Sequence, residues 1–159
     1  MNCDRKLTFV LTFTNQLHPY QCLYLTYQSL EDWTELQDIL RCNPDFQGEP
    51  RYDCIIINMD LPSGQLSIAR LRGLFNCRLS SGETCDVALV CMLPLSKWKP
   101  KTKWEGCRIY DELKEPRFIM AKYLLHGAHM ISAFGASESP LKFYLNDTID
   151  SDMFLRAGN

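Results

Sequence analysis

The sequence contains no C-x-x-C pair, no internal repeat, no low-complexity tract and no run of about 20 mostly apolar residues. The first absence argues against a zinc ribbon or a thioredoxin-like redox site. The last argues against a membrane-spanning helix, because the longest uncharged stretch, residues 7–30, is broken by Asn15, Gln16, His18, Pro19 and Gln21. Arg5 and Lys6 precede the apolar LTFVLTF, but that segment is at the short limit for a signal peptide and no small-residue cleavage site follows. No G-x-S-x-G, P-loop or G-x-G-x-x-G occurs, so no nucleophile elbow or nucleotide-binding turn is legible. Net basic charge is missing too: 17 basic against 19 acidic residues give −2. A strongly basic whole domain is thereby excluded, and a local basic patch remains open.

What is present is a globular composition, 46% apolar and 23% charged over 159 residues. A chain of this size can bury roughly 70% of its unfolded surface and needs neither metal nor disulfides to fold. The eight cysteines, Cys3, Cys22, Cys42, Cys54, Cys77, Cys85, Cys91 and Cys107, are widely spaced and mostly sit in apolar runs such as DCIII and ALVCML. They read as buried, reduced thiols of a soluble intracellular protein; its location is expected, on separate grounds, to be nuclear rather than cytoplasmic.

Alternation of apolar and polar residues predicts strands over 7–13 and 21–27, joined as a hairpin by NQLHP. Ser29 followed by Glu31 and Asp32, with Leu30, Trp33, Leu36, Ile39 and Leu40 at three- and four-residue spacing, predicts a helix stopped by Asn43-Pro44. CNPDFQGEP reads as a connector. Further strands are expected at 52–59, 67–79, 84–93, 108–113, 117–121 and 143–145, with short helical turns near 122–126 and 149–156. In 67–79, Ala69, Leu71, Phe75, Cys77 and Leu79 are expected on one face and Arg70 and Arg72 on the other, with Gly73 marking a bulge or bend. The fold class is therefore α+β and β-rich. It comprises an N-terminal strand–strand–helix unit (1–49) packed on a small twisted, barrel-like sheet with a short C-terminal helix (50–159).

The most informative stretch is Lys97-Trp98-Lys99-Pro100-Lys101-Thr102-Lys103-Trp104. In an extended chain the lysines line one side and Trp98, Pro100, Thr102 and Trp104 the other. Between Leu95 and Arg108 there are five basic residues and one acid, Glu105. Lysines neutralise phosphates and aromatic faces stack on bases, so the pattern suits nucleic acid. The same pattern also fits a solvated loop whose tryptophans pack on the sheet. Arg70, Arg72 and Arg108 are candidates to extend the patch, or simply keep a sheet face soluble. His126 and His129 in HGAH are three apart, but an extended context sends them to opposite sides, so packed or hydrogen-bonded histidines are expected rather than metal ligands. Asp147, Asp150 and Asp152 read as a solvated turn with helix-capping aspartates. No catalytic residue, metal, cofactor, membrane contact or small-molecule substrate is expected.

The segments RYDCIIINMD (51–60), SIARLRGLFNC (67–77), VALVCML (87–93), FIMAKYLLHGAHMISAFG (118–135) and FYLNDTIDSDMFLR (143–156) occur in an order that resembles the C-terminal region of Plavaka-like DNA-transposon proteins of mushroom-forming fungi. Ser132 stands where that family usually has proline. The resemblance spans about residues 50–156, and its motifs are structural, so no catalytic residue carries over. It implies a detached or domesticated C-terminal piece, or a gene fragment, without the upstream nuclease domain. The strand order is also similar to bromo-adjacent-homology domains, a fold-level analogy only. Together these readings imply a non-enzymatic module binding DNA, RNA or chromatin proteins through Lys97–Trp104. The alternative is a protein–protein or homo-oligomeric scaffold.

Overall fold

The computed structural model describes residues 16–58, 66–79, 81–97, 107–133, 141–149 and 151–157. The expected strand at 7–13 and the tip of the basic loop lie outside them. Two long strands organise the rest. β6 (Ser67–Arg78) and β7 (Thr84–Leu93) pair antiparallel from Ile68↔Leu93 to Arg78↔Thr84. The other edge of β6 is shared: β5 (Cys54–Ile57) pairs with Ser67–Arg70, and β1 (Gln16–Tyr20) pairs with Leu74–Arg78. β9 (Pro116–Met120) extends the sheet beyond β7, and β10 (Leu124–Ala128) extends it beyond β5. All four residues of β5 are buried, as a continuous apolar run requires of a strand covered on both faces.

Gly73 lies at a β-bulge, where the register steps from Leu71↔Val90 to Gly73↔Leu89 and leaves Arg72 as the extra residue. The bulge overturns the expected face. Leu71 and Leu74, opposite Val90 and Ala88, join one core cluster, and Phe75 turns to the side of Gly73. Strict alternation along 67–79 missed this because one inserted residue inverts every side chain beyond it. A Cβ on Gly73 would stand 2.5 Å from Cε2 of Phe75, so glycine is what lets the ring lie there.

A second sheet covers one face: β2 (Cys22–Gln28), β3 (Glu35–Phe46) and β4 (Glu49–Tyr52). Its Leu40 and Cys42 pack into the cluster of Ile55, Ile57, Ala69, Leu71, Leu74, Ala88 and Val90. The helix expected after Ser29 is thus a strand. The residues read as its cap build a turn instead: Ser29 Oγ accepts from the Glu31 amide at 3.1 Å, and Asp32 Oδ1 from the Thr34 amide at 3.1 Å. Trp33 has φ of 63° and interrupts any helical run, while seven cross-strand pairs from Cys22↔Arg41 to Gln28↔Glu35 hold β3 extended. The expected connector is a β3–β4 hairpin turning at Gln47 and Gly48, with φ of 56° and 88°. Pro44 falls in the irregular stretch between Asn43 and Phe46, where a missing amide costs no ladder bond. A division at residue 49/50 would cut β4, and β1 belongs to the main sheet.

The opposite face is covered by β8 (Ile109–Asp111), β12 (Lys142–Leu145) and β11 (Met130–Ser132), which form a third sheet, and by α1 (Ser151–Ala157). Phe143, Leu145 and Met153 pack there on Cys54, Ile56, Ile68 and Leu93. The architecture is three antiparallel sheets with one short helix, and among the described residues no barrel closes. At the β10 edge, Asp38 Oδ2 rather than another strand accepts from the Gly127 amide, at 2.6 Å. α1 falls where the last helical turn is expected, whereas of the turn expected at 122–126 only 122 and 123 lie in a 3-10 turn, Ala121–Tyr123, and 124–126 belong to β10, held extended by pairing with β5.

Candidate nucleic-acid interface

The basic loop rises from a paired stem. Leu95 bridges Tyr110, the Ser96 amide donates to Ile109 O at 2.7 Å, and the Asp111 amide donates to Pro94 O at 3.0 Å. Lys97 and Arg108 are therefore held near one another as the two chains leave the stem, and both are exposed. Trp98, Lys99, Lys101, Lys103 and Trp104 lie outside the described residues.

At the foot of this stem is a cleft of about 540 Å³. Its floor is core: Ile56, Ile68, Leu93, Leu145 and Met153. Its charged lining is Arg108, Arg117 and Arg156, and no carboxylate lines it among the described residues. Arg117 stands exposed on β9. Arg156 is already engaged, donating to Asp152 Oδ2 at 2.6 Å and to Gln28 O at 2.7 Å. Tyr110 also lines the cleft; burial raises its phenol above the usual value against the opposing charge and hydrogen bond of Arg108, so it stays neutral at physiological pH and accepts from that guanidinium. An apolar floor rimmed by arginines can take a flat ring below and an anion above.

Arg70 and Arg72 are used differently from the expected extension of the patch. Both turn onto Glu112, which is 5% exposed: Arg70 Nη1 lies 3.6 Å from Oε2, and Arg72 Nη2 donates to Oε1. Arg70 also lies over the Phe143 ring and Arg72 over that of Tyr52, at 5.4 and 5.7 Å. Glu112 balances charge that a phosphate would otherwise meet, and the bulge at Arg72 is what aims the second guanidinium. Nothing in the sequence spacing pairs residue 112 with 70 and 72.

A further cluster escaped the sequence reading. His126 is buried and stacks on Tyr27 at 4.6 Å, with Nε2 3.3 Å from Asp152 Oδ2 but outside hydrogen-bond geometry. His129 is exposed, between β10 and β11, while His126 is buried on β10. Asp152 is not a solvated cap. It is buried and accepts from Arg156 and from the Leu30 amide. Burial would raise its pKa, but those bonds outweigh it and hold the carboxyl below the usual range.

A second cleft, of about 480 Å³, contains Asp38, Asp53, Arg51 and Arg70. Its two carboxylates already serve backbone amides, Asp38 those of Ile39 and Gly127 and Asp53 that of Arg41. Burial pushes the Cys42 thiol up to about 11 and that of Cys54 to about 12, so both are protonated at neutral pH. Among the described residues no group of three His, Cys, Asp or Glu side chains could hold a metal ion, and no helix is long and apolar enough to cross a membrane. The chain matches no protein-family model, no curated protein and no solved structure.

Proposed function

We propose that this chain is a non-enzymatic interaction module that binds nucleic acid through residues 97–104 and the arginine-lined cleft at their base. The observation that carries the reading is the cleft lining: two exposed arginines, Arg108 and Arg117, over an apolar floor, with no carboxylate in the lining among the described residues, beside the stem that presents Lys97 and Arg108. Lysines of the loop supply salt-sensitive attraction, Arg108 and Arg117 orient the phosphates, and Trp98 and Trp104 offer stacking faces. The resemblance to Plavaka-like transposon proteins fits such a module, retained for contact with DNA or chromatin in the nucleus.

The test is a titration of DNA and RNA, single- and double-stranded, at two salt concentrations. Five phosphate contacts on a single strand predict an affinity loss of roughly 100-fold between about 50 and 200 mM salt. Arg108→Gln with Arg117→Gln reduces that slope and leaves the melting temperature in place. No binding at about 50 mM salt overturns the proposal.

One observation favours the scaffold reading. Tyr24 on β2 and Trp33 in the β2–β3 turn are 69% and 67% exposed, two large side chains accessible to a protein partner or a second copy. Concentration-dependent mass with unchanged nucleic-acid titrations would identify that function instead.

A further inference from the structure

We propose that Cys77 and Cys85 form an oxidisable dithiol, a modification site that closes the tip of the β6–β7 hairpin with a reversible disulfide. The two residues are direct cross-strand partners in the β6–β7 register. Directly opposed residues in an antiparallel pair have Cα atoms about 4.5 or 5.5 Å apart, and either spacing falls in the range a disulfide spans, about 4.4–6.8 Å. Both thiols are free in the structure, Cys85 half-buried and Cys77 fully buried.

The arrangement separates this pair from the other buried cysteines of the main sheet. Cys54 and Cys91 pair with Arg70 from opposite sides, so they are two strands apart. Two inter-strand spacings are about 9.5 Å, beyond the reach of a disulfide without backbone movement. A reagent that oxidises thiols within the sheet is thus channelled to residues 77 and 85.

The co-reactant is a small-molecule disulfide. The Cys85 thiolate, the more accessible of the two, attacks one sulfur of the reagent, forming a mixed disulfide and releasing one thiolate. Cys77, deprotonated in turn, attacks Cys85 Sγ, and the second reagent thiolate leaves. Two protein thiols are oxidised to one disulfide, one reagent disulfide is reduced to two thiols, and the two protons end on the released thiolates. Burial and the neighbouring Cys77 raise the Cys85 thiol above its ordinary value, so the first step is slow at neutral pH and the second, between adjacent groups, is fast.

The experiment uses the full chain with oxidised glutathione, followed by alkylation and peptide mapping. The expected result is a Cys77–Cys85 cross-linked peptide as the single intramolecular pair, beside mixed disulfides with glutathione at the exposed Cys22 and Cys107, and full recovery of thiols on reduction. Cys77→Ala is expected to trap Cys85 as the stable mixed disulfide. Accumulation of glutathionylated Cys85 in the natural chain with Cys77 still alkylatable overturns the proposal. So does prior formation of any other intramolecular pair, or retention of all eight thiols.

Discussion

The carboxylate of Asp152 accepts a hydrogen bond at 2.6 Å from the backbone amide of Leu30, 122 residues earlier in the chain. Arg156, one turn further along the helix, donates to the same carboxylate and to Gln28 O. Together they fasten α1 to the turn between β2 and β3. Asp152→Ala leaves a buried amide and a guanidinium without their acceptor, and is expected to cost about 3 kcal/mol. Asp152→Asn keeps one acceptor and is expected to lose less. Thermal melting of the two variants checks the order; equal stability of Asp152→Ala and the natural chain would show that helix and ribbon are uncoupled.

His126 predicts the direction of acid sensitivity. Burial, then the Arg156 charge, lowers its pKa from 6.5, against opposing attraction from Asp152 and Asp38. Below about that ordinary value the unfolded chain binds a proton that the fold resists, so stability falls as the pH drops. Asp152, held below 3.8, adds a second loss only at more acidic pH, as it is protonated in the fold. His126→Phe keeps a ring against Tyr27 and removes the titration. The decrease in melting temperature between pH 7 and pH 5 is expected to shrink in that variant, and an unchanged pH profile would refute the assignment.

Glu112 joins two arginines under the third sheet. Its replacement by glutamine leaves both guanidiniums without a counter-charge, and a loss of about 3 kcal/mol is expected, or roughly 6–12 °C in melting temperature. Nucleic-acid affinity of the folded variant should hold or rise, since the charges of Arg70 and Arg72 are no longer balanced by a carboxylate. A fall in affinity at a temperature where the variant is folded would count against the separation of these arginines from the interface.

Gly73→Val tests the bulge. The side chain would meet Phe75, whose ring lies 6.0 Å from that of Phe118 and has neighbours of its own. Overpacking of this kind costs about 1–3 kcal/mol. Chemical denaturation gives the value, and a neutral result would mean that Phe75 swings aside freely.

Trp98→Ala and Trp104→Ala separate stacking from packing. If bases stack on these rings, each change weakens single-stranded ligands by about 1–3 kcal/mol and spares stability. A lower melting temperature with unaltered binding would assign both rings to the protein interior.

Much of the strand order was legible because its signals are local. The apolar runs at 87–93 and Ile55–Ile57 and the turn residues Ser81-Gly82 each act over a few positions and coincide with β7, β5 and the hairpin between β6 and β7. Lys97 and Arg108 could be picked out for the same reason, as charges dense in sequence. Residues 29–40 show where local reading ends. Ser29 and Asp32 offer the same side-chain oxygens to a helix cap or to a tight turn, and Leu36, Ile39 and Leu40 suit a helix face as well as a ribbon. Pairing with β2, and burial of Leu40 against β6 and β7, decide for the strand. Glu112 with Arg70 and Arg72, and His126 with Asp152, were invisible for a related reason: each pair spans 26 or more residues, and an ion pair at that distance leaves no periodic trace. The sequence alone determined the extended segments 54–57, 67–78 and 84–93, the turn at Ser81-Gly82 and where cationic charge concentrates, because those depend on neighbouring residues. Only the tertiary structure decided which cations are spent on buried carboxylates and which face the cleft, because that depends on sheet register, and a single bulge at Arg72 resets it.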